Sequence, residues 1–512
     1  MERLSGLDAA FLALETSADH MHVMAVAVLD PSSTPAGFTA STVKRLVEER
    51  LPNIPAFRRR LVEVPFNLHH PLWVEDPAFD LDYHVRQMAV IAPGGIRELA
   101  ALVGDIASWP LDRTRPLWQL WVVEGLEDGN VGLIAKVHHS AIDGAAGVDV
   151  LAQLVDLEPT VPGPKPDELA PWHPDRVPSD VEMIFGSMVS IAKRPVQMAR
   201  AGLHLTRSLY RLGQRARDGA MSGGAAPFTA PRLSWNGAIT PHRKVAFSTI
   251  ALADIKEVKD AFGVTVNDVV LAMVAGALRR YLEARDELPE KPLVAVVPTN
   301  ERTESTQGVG GNVVSAMFAS LPSEQADPVA RLAAVAESMS VAKQTHRDIG
   351  GTLLGEWAEV ATAPILHNGI QLYRRFADRM RPIHNLVISN VPGPPVPVYM
   401  AGARVVSLVP MGPIFDGAGL NVTVLSYLDR VDVGFMACRE TVPGVWGMAT
   451  AVPDAMAELV AAARAVNGAT ATAESAHGES VRTAEIDEPD VVEVDITEAS
   501  VASTPDAFPD AG

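Results

Sequence analysis

Residues 138–144 read His-His-Ser-Ala-Ile-Asp-Gly. Two adjacent histidines, a carboxylate four residues after the second, and a glycine make a compact acid–base set. An imidazole, with an unperturbed pKa of about 6.5, can take and return a proton near neutrality. Asp143 can fix the geometry, and Gly144 permits a tight turn into a following helix. The same pattern also fits hydrogen-bonded structural histidines, or a metal site, since His139 and Asp143 would share one face of a helix. No third ligand cluster, no His-Glu-x-x-His and no Cys-x-x-Cys accompanies it. A Gly-x-Ser-x-Gly elbow that would make Ser140 a nucleophile is absent. Cys438, the single cysteine, lies in an apolar run and reads as an inert core thiol.

The elements that must hold this set are legible around it. Val131 to Val137 is an apolar run that predicts a buried strand ending at the histidines. Trp118 to Glu124 predicts its partner across Leu126-Glu127-Asp128-Gly129, and Met21 to Leu29 a further strand. Helices are expected over Thr42 to Leu51, residues 95–108, and Gly144 to about Leu157, where Pro159 stops the last. Further on, helical patterns cover Asp254 to Arg285, Asp327 to Arg347 and about Pro453 to Val466. Strand-like runs cover Leu293 to Val297, Leu386 to Ser389, Asn421 to Tyr427 and Val431 to Cys438. Strands mixed with helices in both halves indicate an α/β fold with α+β layers.

With 512 residues the chain favours more than one domain. A dense run of prolines between 159 and 178, and Ser222-Gly223-Gly224 to Pro227, mark the joints. The expected organisation is a first lobe at 1–175, a crossover linker at 176–232, a second lobe at 233–468, and a tail at 469–512. Within the linker, Arg200, His204, Arg207, Arg211 and Arg215 recur on one helical face, and Met198, Gly202, Leu205, Leu209 and Leu212 on another. Such a helix fits an anionic lipid surface, or a crossover packed on the protein with a solvated basic face.

The net charge of −19 includes eleven acidic residues against Arg482 after residue 469, which is −10, so the rest carries −9. That stretch, rich in Ala, Ser, Thr and Pro, is expected to lack structure. The charge balance gives no support to nucleic-acid binding. One cysteine excludes an internal disulfide and fits a reducing cytoplasm. The first residues lack a basic then apolar leader pattern, and no apolar stretch reaches the ~18 residues of a membrane span, so any membrane contact is expected to be peripheral.

Several other patterns run in register with residues 138–144. They are Leu4-Ser5-x-Leu7-Asp8-x-x-Phe11, Phe79-Asp80-Leu81-Asp82-Tyr83-His84-Val85, and Pro110-Leu111-Asp112-Arg113-x-Arg115-Pro116-Leu117-Trp118. Asn267-Asp268, Gly311-Asn312 and Asn390-Val391-Pro392-Gly393-Pro394 follow. Together they resemble the bacterial wax ester synthase/diacylglycerol acyltransferase family, over about residues 1–468. The motif itself is shared with chloramphenicol acetyltransferase and peptide-synthetase condensation domains.

The resemblance implies two lobes like chloramphenicol acetyltransferase, each a mixed sheet flanked by helices, with a tunnel between them. It implies that His139 is the general base, that Asp143 is structural, and that His138 and Gly144 shape the turn. Asn267, beside Asp268, is a candidate for holding the oxyanion or positioning His139, or equally a helix cap. The implied substrates are a long-chain acyl-CoA and diacylglycerol or a fatty alcohol, with no cofactor and no metal. The implied location is cytoplasmic, at the inner membrane face or on lipid droplets. Two other functions remain in play: a non-catalytic lipid-binding protein of the same fold, and condensation with a carrier-bound donor.

Overall fold

The computed structural model describes residues 2–34, 37–141, 152–159, 174, 176–188, 225–300, 314–349 and 381–483. Asp143, Gly144, Gly311, Asn312 and the basic 198–215 face lie outside the described residues. Residues 1–463 form one compact unit and 464–512 a second.

In chain order the first half contains β1 (Glu2–Arg3), α1 (Gly6–Leu14), β2 (His22–Asp30) and α2 (Ala40–Arg50). There follow β3 (Arg59–Val62), β4 (Leu72–Glu75), α3 (Leu81–His84), β5 (Val85–Ala89), α4 (Ile96–Ser108), β6 (Trp118–Glu124) and β7 (Val131–His138). The second half supplies β8 (Arg243–Ala251), β9 (Leu293–Asn300), β10 (Val314–Leu321), β11 (Leu386–Pro392) and β12 (Tyr399–Met400). It ends with β13 (Ala403–Met411), β14 (Leu420–Tyr427) and β15 (Arg430–Cys438), among helices.

Two six-stranded mixed sheets result, ordered β12-β13-β2-β7-β6-β5 and β10-β9-β11-β14-β15-β8. The expected pairing of Trp118–Glu124 with the strand ending at His138 is present, antiparallel. A strand's two-residue period sorts each sheet's side chains onto two faces. Leu133, Ala135 and Val137 of β7 join Trp118, Leu120 and Val122 in one core. Ile134 joins Trp121, Val123 and the α4 residues Leu99, Val103 and Ile106 in another, which also holds Val245 and Met436 of the second sheet.

β13 lies within residues 233–468, the span expected for the second lobe, yet it pairs with β2 of the first sheet. Two contacts stitch it to the second sheet. Buried Asp432 of β15 accepts from Ser407 Oγ and Leu408 N at 3.0 Å each, just after a register shift between Val405 and Ser407. Opposite Pro410, Gly434 of β15 has no room for a side chain: a Cβ there would lie 2.1 Å from Pro410 O.

Three sequence expectations need correction. The helix over Asp254 to Arg285 is two helices, Leu252–Phe262 and Val266–Glu283, bent by 108°. Gly263, at φ +66°, ends the first, because only a left-handed residue closes that C-terminus cheaply. The last helix is Trp446–Thr483, far longer than Pro453 to Val466, so the acidic stretch after 469 begins helical. The strand expected over Leu386 to Ser389 runs on through Asn390 to Pro392.

Candidate active site

α1 begins at a reciprocal cap. Asp8 N donates to Ser5 Oγ at 3.1 Å and Ser5 Oγ donates to the Asp8 carboxylate at 2.7 Å, satisfying helix-end donors that would otherwise be orphaned. This is the physical content of the Leu4-Ser5-x-Leu7-Asp8 pattern. The helix then presents Phe11 and, at its C-terminal cap, Glu15, four residues apart and so on one face. These two side chains meet the two histidines.

His139 follows the last residue of β7. Its backbone N–H donates to Met21 O at 2.9 Å, and its half-buried ring stacks on Phe11 with centroids 4.0 Å apart. His138 points to the opposite face and is buried. The Ser140 N–H donates to its Nδ1 at 3.1 Å, with Ser140 Oγ 2.7 Å from the same nitrogen. That geometry leaves the proton on Nε2, which faces the Glu15 carboxylate at 3.5 Å. Arg113, from the Pro-Leu-Asp-Arg pattern, holds that carboxylate from the other side through Nε at 2.7 Å, and donates to Leu12 O at 3.0 Å. Burial works to raise the Glu15 pKa, but His138 and Arg113 outweigh it and the carboxyl stays ionised below its usual range. Burial lowers the His138 pKa despite Glu15.

Behind His138 lies a group of buried imidazoles. His22 pairs with His138 across β2 and β7, and His20 stacks on His22 at 5.4 Å. Burial, with Lys136 and neighbouring cations, holds His22 well below its usual pKa. Burial and Arg243 lower His20 too. Neutral rings therefore back the pair at physiological pH.

The remaining first-half patterns build the wall. Trp118 Nε1 donates to Phe57 O at 2.8 Å. The indole is stacked between Phe57, at 4.1 Å, and His84, at 4.4 Å. Phe79 stacks on the other side of His84, so the Phe79–Val85 and Pro116–Trp118 patterns meet in one aromatic column. Trp118 is thus a core residue.

Asn267 and Asp268 occupy the first turn of Val266–Glu283. The cap there is Thr265, not Asn267. Asp268 N donates to Thr265 Oγ1 at 3.3 Å, and Thr265 N to the Asp268 carboxylate at 2.9 Å. Among the described residues no hydrogen bond joins Asn267 or Asp268 to the histidine pair. Thus the structure brings His138 and His139 together with Glu15, Phe11 and Arg113. Glu15 is the one of these that the sequence patterns did not single out; its helical spacing from Phe11 was the available signal. Among the described residues no three His, Cys, Asp or Glu side chains cluster as a metal site would require.

Sequence comparison adds the decisive observation. The profile of the wax ester synthase/diacylglycerol acyltransferase catalytic domain matches residues 4–270, and that of the family's C-terminal domain matches 310–460. The chain belongs to the wax ester synthase/diacylglycerol acyltransferase family. A Mycobacterium tuberculosis protein provisionally named diacylglycerol O-acyltransferase is 40% identical over 461 residues, 90% of each chain. The solved wax ester synthase/diacylglycerol acyltransferase of Marinobacter aquaeolei is 31% identical, with a TM-score of 0.64 over 90% of this chain and 100% of its own. The first condensation domain of the calcium-dependent antibiotic synthetase, 15% identical with a TM-score of 0.54 over 90% of this chain and 96% of its own, shares the fold. The two-lobed α/β architecture is therefore that of the family.

Proposed function

We propose that this family member transfers a long-chain acyl group from acyl-CoA to the hydroxyl of diacylglycerol or of a long-chain alcohol, with His139 as general base. The observation that carries the reading is the placement of His139. It is held at a strand end by its own N–H, half-buried, with one ring face fixed against Phe11. An alcohol, with a pKa near water's at roughly 16, attacks only as its proton leaves. His139 takes that proton as the oxygen bonds to the thioester carbonyl. The tetrahedral oxyanion collapses, breaking the C–S bond, and the imidazolium returns the proton to the departing CoA thiolate. General-base help of this kind is worth ~10²–10⁴ in rate, and co-localising the two substrates supplies more. No acyl-enzyme and no metal is needed on this route. Asp143 and Gly144 would fix the turn after His139, and Asn267 would serve the oxyanion.

Contact with a lipid surface has its own support. No single described helix is long and apolar enough to cross a membrane. Within the helical residues 180–188, however, Val181, Phe185 and Met188 are exposed while Met183 and Ser187 are buried. That i, i+4, i+7 spacing puts an apolar stripe outward, suited to peripheral attachment.

The test is CoA release from palmitoyl-CoA with diolein, with hexadecanol, or with no acceptor, and with the lipid product identified. Release that depends on an acceptor and yields its ester supports the reading. No release with any acceptor, alongside tight lipid binding, favours the non-catalytic lipid-binding function. Activity only with a carrier-bound thioester favours condensation.

A further inference from the structure

Outside the histidine site, α4 and the β8 strand approach closely at Gly104, where a Cβ would stand 3.0 Å from Arg243 O. A groove of about 580 Å³ lies between the two elements, lined along the helix from Arg97 to Ser108. Its walls carry Arg97 of α4, Lys244 of β8, Arg439 at the end of β15, and two indoles, Trp109 and Trp446. Arg243 forms the floor, and among the described residues Asp105 is the only acidic one of the lining. This is a concentration of cations on a chain whose net charge is −19.

The cations are not equally free. Glu440 engages Arg439 at 3.0 Å and His242 at 2.9 Å, and so offsets one of them. Arg243 is buried and spends its guanidinium on Thr240 O and Ala18 O. Arg97 and Lys244, by contrast, are exposed and form no ion pair among the described residues. Arg97 lies over the Trp446 ring, 4.5 Å from its centroid, which holds the guanidinium at the groove wall. Trp109 is 43% exposed, an unusual amount of indole to leave in water.

The groove floor is joined to the histidine site through a short series of hydrogen bonds. Arg243 N donates to Ser108 Oγ at 2.8 Å, and Ser108 O meets His20 Nε2 at 3.1 Å. The next residue, Met21, accepts the His139 N–H. A second, much smaller hollow is lined by His20, Met21, His22 and Arg243, and so shares Arg243 with the groove.

We propose that this groove binds the phosphorylated nucleotide of the acyl-CoA donor, the phosphates on Arg97 and Lys244 and the adenine on Trp109. The proposal rests on acyl-CoA being the donor. Two uncompensated cations beside an exposed indole match phosphates beside an aromatic base. A concave site recessed between a helix and a strand suits a discrete nucleotide better than a flat lipid surface, which meets projecting side chains instead.

The experiment is calorimetric titration of CoA, and separately of adenosine 3′,5′-bisphosphate, into the full chain and into the double variant Arg97→Glu, Lys244→Glu. Both positions are exposed, and circular dichroism checks that the variant folds. The wild type should bind both ligands, and the variant should bind each about tenfold or more weakly, as expected for two lost charge-assisted contacts. In turnover the variant's KM for palmitoyl-CoA should rise by a similar factor. Its KM for palmitoyl-pantetheine, which has no nucleotide, should not change. Equal CoA affinity in wild type and variant would overturn the site. So would a variant that keeps CoA affinity but loses binding to phosphatidylglycerol vesicles, since the groove would then be a lipid-headgroup surface. Groove-dependent CoA binding without transfer to any acceptor would sink the acyltransferase reading while sustaining the site.

Discussion

Lys136 sits in the strand that delivers the histidines, and it is fully buried. Its ammonium donates to Ile106 O at 3.1 Å and Trp109 O at 2.9 Å, with no carboxylate partner among the described ion pairs. Burial, assisted by Arg86, pulls its pKa from 10.5 to about 7. Unfolded, the group keeps its proton until about pH 10.4. Between these values the unfolded chain binds more protons than the folded one, so this residue makes stability rise with pH from about 7 to about 10. Below pH 7 both states are charged and its penalty is constant and greatest. At about 1.4 kcal/mol per pH unit, that penalty is about 5 kcal/mol. Lys136→Met removes it and loses two hydrogen bonds worth about 1 kcal/mol each. The variant should therefore be about 3 kcal/mol more stable than wild type near pH 7, with the advantage gone and slightly reversed near pH 10. Urea unfolding followed by tryptophan fluorescence at pH 7, 8, 9 and 10 measures the difference. Parallel pH curves for the two proteins would refute a lysine poised near neutrality.

Glu15→Gln removes the charge that faces His138 and anchors Arg113; kcat should fall about tenfold with KM unchanged, and Glu15→Asp should recover part of it, read in steady-state turnover. Gly434→Ala forces a methyl against Pro410 O, where both partners are strand backbone. It should cost about 3 kcal/mol or more, seen as a clear drop in thermal midpoint. Phe185→Glu places a charge in the exposed apolar stripe and should weaken co-sedimentation with vesicles while leaving the melting temperature unchanged; unaltered sedimentation would assign that stripe another role.

The strands around the histidines were legible because they are long apolar runs with a clear end. β6, β7, β14 and β15 are buried on both faces, and continuous hydrophobicity marks such strands without any knowledge of their partners. β8 and β13 were not legible: each mixes buried and exposed positions, and its identity depends on pairing with strands far off in sequence. That β13 joins β2 rather than its sequence neighbours is set by register and by Asp432, neither of which a local pattern reports. The break at Gly263 was readable in principle, since Thr265 and Asp268 form a cap spacing directly after it. Hydrophobicity continuing through Val264 and Val266 masked it. At the site, His138 and His139 stood out by type and adjacency. Glu15 did not, because a single glutamate at a helix end is ordinary until Arg113, 98 residues away, closes on it.

The central claim is that His139 removes the acceptor's proton. The direct measurement is the acceptor-dependent rate of CoA release for wild type and His139→Ala, both shown to be folded by circular dichroism. The rate should fall about 10²-fold or more in the variant, with affinity for CoA retained. Turnover by His139→Ala at a rate close to wild type would contradict it.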